Sequence, residues 1–238
     1  MKKILIKFPS RGRPEKFKST LEKHIESLSK DNDIKFVFSF DNDDLTMNND
    51  EIKLYLSNLP IKNEFFYGDS QNKIQAINAN LENQDFDILI LVADDMIPIL
   101  KDYDKLICNL FESAVYGLDS ILHFYTAMWA DKLDIWCIMG KKYYDRFGYI
   151  YHPDYKSIFA DNEYTEVSKI LDRNIFSTES PFFHDYQTGD ETEVKNWQFN
   201  SEDWLIFEKR KKINYDIKTK NENSNTTRKR KTQRKQNI

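Results

Sequence analysis

The sequence predicts an α/β fold in which a mostly parallel sheet is covered by helices. Two observations carry this. The first hundred residues alternate short apolar runs with segments of helical period, the pattern of a parallel sheet with helical crossovers. Each apolar run ends abruptly in a polar cluster, as strands do where they leave a sheet.

The elements follow in order. Residues 4–8 (Ile-Leu-Ile-Lys-Phe) form a first strand, broken by Pro9-Ser-Arg-Gly-Arg-Pro14. Phe17, Leu21, Ile25 and Leu28 recur at helical spacing and predict a helix over 15–29. A second strand over 34–40 runs into Asp41-Asn-Asp-Asp44. Ile52, Leu54, Tyr55 and Leu59 mark a short helix before Pro60, and 64–67 form a third strand stopped by Gly68. Ser70 is expected to cap a helix carrying Ile74, Ile77 and Leu81. The fourth strand, 87–92, is the most apolar and ends at Asp94-Asp95. The second half is more mixed. It holds helices over 101–114, 141–147, 160–173 and 201–212, strands over 120–125 and 135–139, and an extended segment over 180–186.

Composition narrows the function. Hydrophobic residues make up 40%, enough for a full core. The longest apolar run, 88–93, is far short of the ~20 residues of a membrane span, and the N-terminus lacks a signal-peptide core, so a cytoplasmic protein is expected. Two cysteines, Cys108 and Cys137, give neither a disulfide framework nor a cysteine zinc site and are expected to be reduced core residues. The net charge is −4, yet residues 218–238 hold eight Lys or Arg against one acid. That tail has no apolar period and is expected to be disordered, either a solubilising segment or a contact for a polyanion.

Ligands of parallel sheets bind outside the carboxyl ends of the strands. Ser10-Arg11-Gly-Arg13, Asp41–Asp44 and Asp94-Asp95 all lie there and can converge on one crevice. Adjacent carboxylates repel, and a hard divalent cation carrying phosphate relieves the repulsion. Arg11 and Arg13 can bind phosphate. Asp161 and Glu163 open a helix, where acids suit the dipole, and either can act as a general base. His184, with Asp185 behind it, follows two phenylalanines and is a further candidate ligand if the chain returns to the crevice.

The ordered set resembles GT-A-fold glycosyltransferases of the family 2-like group, in the form found in phages and other viruses. The features that carry it are Pro9-Ser-Arg-Gly-Arg-Pro14, Asp41-Asn-Asp-Asp44, Asn72-Lys73-x-x-Ala76-x-Asn78, Ala93-Asp94-Asp95-Met-x-Pro98, Asp161-Asn-Glu163, His184, and Asp203-x-x-x-Phe207-x-x-Arg210, over roughly residues 2–212. The resemblance implies a nucleotide-sugar donor, most often a UDP-sugar, bound by residues 1–100, with the acceptor bound by 101–217. Pro9, Ser10, Arg11, Arg13, Asp41, Asp43, Lys73 and Asp94 would line the donor site, with Asp41 at the uracil and Lys73 near the base or diphosphate. Asp95, with Asp94, and His184 would hold Mn²⁺ or Mg²⁺ on the diphosphate. Asp161 would be the base of an inverting transfer, with Glu163 as its competitor. The acceptor would be a glycan, a protein or a modified nucleic acid. Val92 or Ala93 stands where the first Asp of the usual Asp-x-Asp is expected, so metal binding rests on Asp94-Asp95. The alternatives are a metal-dependent nucleotidyltransferase, a metal-dependent phosphoesterase, or a nucleic-acid-binding protein using the basic tail.

Overall fold

A computed structural model describes residues 1–185 and 191–217, the side chains of 191–193 excepted. The basic tail, 218–238, and its expected polyanion contact lie outside the described residues.

Four strands form the parallel half of a seven-stranded sheet: β1 (Lys3–Pro9), β2 (Asp33–Asp41), β3 (Lys62–Gly68) and β4 (Ile88–Leu91). Three more extend it, β6 (Ile121–Phe124), β7 (Ile138–Gly140) and β8 (Asn174–Ser177), giving the order β3-β2-β1-β4-β7-β6-β8. Strand β7 alone runs antiparallel, against both β4 and β6, while β6 and β8 pair in parallel. The carboxyl ends of β1, β2, β4, β6 and β8 therefore share one edge. A separate antiparallel ribbon joins β5 (Met96–Pro98) to β9 (Phe182–His184).

Alternation along β1 divides the core. Ile4, Ile6 and Phe8 face one layer and Leu5 the other. The first layer is covered by α1 (Pro14–Ser27), α2 (Asp50–Ser57) and α4 (Tyr103–Ser113) through Phe17, Leu21, Ile52, Leu56 and Ile107. The second is covered by α3 (Lys73–Asn78), α5 (Lys141–Tyr144), α6 (Ala160–Ile170) and α8 (Asn200–Lys212) through Ile74, Tyr143, Tyr164 and Phe207. A further short helix, α7 (Glu191–Trp197), precedes α8. Helices thus lie on both faces, as expected from the sequence, and both cysteines are free and buried.

Several boundaries differ from the sequence reading. The cap of α3 is Asn72, whose side chain accepts from the Gln75 amide at 3.0 Å, in place of Ser70. That helix stops at Asn78, so Leu81 reaches the core from the following turn. Strand β7 starts at Ile138 because residues 134–136 are tied up in side-chain hydrogen bonds. Helix α5 ends at Tyr144, and α6 ends at Ile170. A Cβ at Gly140 would stand 2.2 Å from the Leu118 carbonyl oxygen, so only glycine lets β7 turn into α5 there.

Lys7 points from the centre of β1 into the second layer and is fully buried. Its amine donates to Ser39 Oγ and, at 2.7 Å, to the carbonyl of Ala79 at the end of α3. Two acceptors suit a neutral amine. Burial lowers its pKa to about 7, with the charge of Glu82 opposing. Between pH 7 and 10.5 the unfolded chain binds a proton that the folded chain does not, so stability rises with pH through that window. Lys7→Met should flatten this rise, which is worth on the order of 5 kcal/mol at its full extent. Urea midpoints at pH 7 and pH 9.5 for both proteins check it, and parallel pH dependence in the two would contradict the assignment.

Candidate functional site

The crevice is built on the carboxyl edge of the sheet. At the end of β1, Pro9 pairs with Ser39 of β2, and the Ser10 amide donates to the Ser39 carbonyl at 3.1 Å. Gly12 turns the loop with φ +75°, and its amide donates to Asp44 Oδ2 at 2.7 Å. Asp44 also accepts from Thr46, so it is a brace for two loops. Pro14 then starts α1.

Arg11 lies across the acids past β2. It donates to Asp41 Oδ2 at 2.7 Å and to both oxygens of Asp43 at 2.5 and 2.9 Å. The hydrogen bonds from Arg11 hold the exposed Asp43 carboxyl below its ordinary range. Two buried oxygens beside this cluster, Asp41 Oδ1 and Ser10 Oγ, have no hydrogen-bond partner among the described residues. Such atoms are rare in folded proteins.

Asp94 and Asp95 divide. The Asp94 carboxylate is buried and lies 2.7 Å from Arg13 Nε, while its carbonyl accepts from Thr20 Oγ1 at 2.7 Å. Asp95 instead shares the crevice with His184, at 3.5 Å between Oδ2 and Nε2. Asp94 thus lies against Arg13, and Asp95 pairs with His184, the two residues expected to hold a metal.

The ribbon creates that pair. Met96 is in register with His184, and the Asp185 amide donates to the Asp95 carbonyl at 2.8 Å. An isolated ribbon of this length is unstable, so packing must hold it. Phe182 does so, meeting the rings of His24, Tyr103, Phe124 and Trp136. His24 is buried and donates from Nε2 to the Met96 carbonyl at 2.9 Å. Burial lowers its pKa to about 4, which keeps it neutral. Trp136 packs edge-on against His184, with centroids 5.4 Å apart.

Lys73, at the start of α3, contributes charge to this site. Burial pushes the Asp95 carboxyl up, but the hydrogen bond and charge of His184, together with Lys73 and Arg13, outweigh it and leave the group below its usual range. Lys73 acts on Asp161 as well. There burial prevails over Lys73 and over the backbone amides of Asn162 and Asp161, so the carboxyl lies above its usual range. The Lys73 charge thus acts on both Asp95 and Asp161, whose carboxyls are shifted in opposite directions.

Glu163 is a different kind of group. Arg210 of α8 donates to its two oxygens at 2.7 and 2.8 Å, and the Tyr155 hydroxyl donates at 2.8 Å, all buried. Its expected role as a competing base is corrected: both oxygens are spent on an internal ion pair.

One residue at the site escapes a reading of the sequence. Asp134 is fully buried; its amide donates to Thr165 Oγ1 at 3.0 Å, which donates to the Asp161 carbonyl at 2.8 Å. One Asp134 oxygen accepts from the Trp136 amide at 3.1 Å, and the other has no hydrogen-bond partner among the described residues. Burial pushes this carboxyl well above its ordinary range. The available signal was a single acid inside the apolar run 133–139.

Asp95 and His184 supply one oxygen and one nitrogen, each about 30% exposed toward the crevice. That donor set fits a divalent ion of the Mn²⁺ type whose other ligands come from a substrate. No cluster of three or more such side chains exists among the described residues.

No family model and no curated protein sequence matches the chain. Solved structures do. A mannosyltransferase from Pyrobaculum calidifontis, in complex with GDP-Man and Mn²⁺, superposes with a TM-score of 0.68 at 12% identity, over 91% of this chain and 65% of its own. TarS from S. aureus, in complex with UDP-GlcNAc, superposes with a TM-score of 0.60 at 14% identity, over 81% of this chain and 61% of its own. The fold is that of GT-A glycosyltransferases. The chain spans less than two thirds of the length of either neighbour, and neither gives support for a viral origin. No described helix is long and apolar enough to cross a membrane.

Replacing Arg210 by Met should destabilise the protein by ~3–5 kcal/mol, because Glu163 is left buried without its partner. Replacing Glu163 and Arg210 together by Gln and Met should cost less than Arg210→Met alone. Urea unfolding of the three variants checks the order.

Proposed function

We propose that this chain is a metal-dependent glycosyltransferase that moves a sugar from a nucleotide-diphosphate donor to an acceptor hydroxyl. The observation that carries the reading is the Asp95–His184 pair at the carboxyl edge of a GT-A sheet, with the Lys73 charge acting on both Asp95 and Asp161. The neighbours that hold GDP-Man with Mn²⁺ or UDP-GlcNAc support the donor class.

The donor is a UDP-sugar. Arg11 occupies Asp41 Oδ2 and leaves Oδ1 as a single acceptor. One oxygen matches the single imide N–H of uracil, whereas the paired donors of guanine ask for both oxygens of a carboxylate. Ser10 Oγ, buried at the neighbouring strand end, completes the nucleoside contacts, with Pro9, Arg13 and Asp43 shaping the loop around it. Lys73 faces the diphosphate.

Asp95 and His184 would hold Mn²⁺ or Mg²⁺, which when bound supplies charge to offset the departing diphosphate. Asp161 is the base. A carboxyl raised above its usual range accepts a proton more readily than an ordinary aspartate. It takes the proton of the acceptor hydroxyl as that oxygen attacks the anomeric carbon, the bond to the diphosphate breaks, and the configuration inverts. Residues 1–100 bind the donor and 101–217 the acceptor.

Thermal shift with UDP, GDP, CDP and ADP, each with and without Mn²⁺, tests the donor site. At a hundredfold excess over Kd a ligand adds ~2.7 kcal/mol of stability, enough to read. UDP with Mn²⁺ should give the largest shift, and Asp95→Asn should remove the Mn²⁺-dependent part. An absence of any nucleotide shift would sink the reading. Asp161→Asn should keep the UDP shift and lower kcat by at least ~100-fold with little change in donor KM, as expected when only the base is removed. Equal turnover by Asp161→Asn and the parent would move the base elsewhere.

A further inference from the structure

The connection from β6 to β7 leaves the sheet at the catalytic edge. Tyr125 continues from β6 with its amide on the Ser177 carbonyl at 2.8 Å. The chain then folds on itself through an isolated antiparallel bridge between Thr126 and Ala130. Ala130 has φ 51°, its amide donates to the Thr126 carbonyl at 2.8 Å, and the Trp129 amide donates to Thr126 Oγ1 at 3.3 Å. Lys169 of α6 donates to the Asp131 carbonyl at 2.8 Å. Leu133 is buried, and Asp134 and Trp136 then fasten the chain to the Asp161 turn and to His184.

A loop held at so many points has a defined outer face. In this loop Tyr125 is 44% and Trp129 42% exposed, with Met128 between them in sequence. The neighbouring aromatics at this edge, Phe182 and Trp136, are buried, so the two outer rings serve no packing need of the core. Thr126 follows Tyr125, and Asp131 and Lys132 lie just after Trp129, so the same loop carries hydrogen-bonding groups.

We propose that the β6–β7 loop is the acceptor subsite and that the acceptor is a carbohydrate. This rests on the transferase reading of the adjoining site. A pyranose ring has one face of C–H bonds and a rim of hydroxyls. Aromatic rings with polar neighbours match both, because the ring covers the C–H face and the polar groups meet the rim. A lipid would ask for a continuous aliphatic surface, which this loop does not offer. The same loop is tied at its β7 end to both sides of the site: Asp134 bonds Thr165, which bonds the Asp161 carbonyl, and Trp136 packs on His184. A sugar seated on Trp129 or Tyr125 would thereby have its position fixed relative to the base and to the donor diphosphate.

Saturation-transfer NMR of the full chain, with UDP and Mn²⁺ present, against a panel of methyl α- and β-hexosides and their disaccharides tests this. At least one saccharide should show saturation of its ring C–H protons. The double variant Tyr125→Ala/Trp129→Ala should weaken that binding by at least about tenfold. Trp129→Phe should retain most of it, which separates loss of a ring from loss of fold. The UDP–Mn²⁺ thermal shift is measured on the same samples. Saccharide binding that survives the double variant, or no binding of any saccharide while UDP still shifts the melting point, overturns the platform and leaves the transferase reading intact. Platform-dependent saccharide binding without any nucleotide shift supports the platform and overturns the transferase reading. A silent panel with no nucleotide shift overturns both.

Discussion

The geometry of the crevice depends on how Phe182 is packed. Its ring lies among His24, Tyr103, Phe124 and Trp136, contributed by α1, α4, β6 and the approach to β7. Because Phe182 lies in β9, this packing sets the register of the β5–β9 ribbon, and the register in turn puts His184 opposite Met96 and beside Asp95. A slip of one residue would turn the imidazole to the other face of the ribbon. The neutral His24 reinforces the same register from the other strand by binding the Met96 carbonyl. Two groups far apart in the chain are thus brought together by apolar packing and backbone pairing, with little contribution from their own attraction.

The charges around the crevice are sorted by this scaffold. Arg13 neutralises Asp94 inside the protein, and Arg11 draws Asp41 and Asp43 together at the rim. Asp95 is left as the acid of the pair that shares the crevice with His184, and Lys73 sets the field felt by both Asp95 and Asp161. Burial and neighbouring charge push these two carboxyls in opposite directions, the arrangement by which one site keeps one acid ionised and another ready to take a proton.

Much of this was legible in the sequence where the physical signal is local. The parallel half of the sheet announces itself through runs such as Ile88-Leu-Ile-Leu, and the crevice acids through their position just past those runs. The order of Asp41, Lys73, Asp95, Asp161 and His184 was enough to suggest a fold. Strands β5, β7 and β9 are three residues each and exist as strands only through their partners, so no periodicity could delimit them. The same holds for Glu163. As an acid in a first helical turn it looks like Asp161, and only the distant Arg210 separates their roles. Asp134 was invisible for a related reason: its amide is held by Thr165 and one carboxyl oxygen by the Trp136 amide, partners whose positions are known only once the chain has folded.

Helix α8 has a bearing on the order in which the protein becomes competent during synthesis. Its Asp203 collects the amides of Lys156, Ser157 and Ile158 at 2.8–3.0 Å, just ahead of α6, and its Arg210 closes on Glu163 within that helix. Domains form from the N-terminus as the chain emerges. The nucleotide half and the Asp95–His184 ribbon have all their parts once β9 is made. The turn that carries Asp161 has to wait for a helix translated later, with an unpaired acid held near the core until then. On the proposed reading, a nascent chain would complete the Asp95–His184 side of the crevice before the turn that carries Asp161 is held in place.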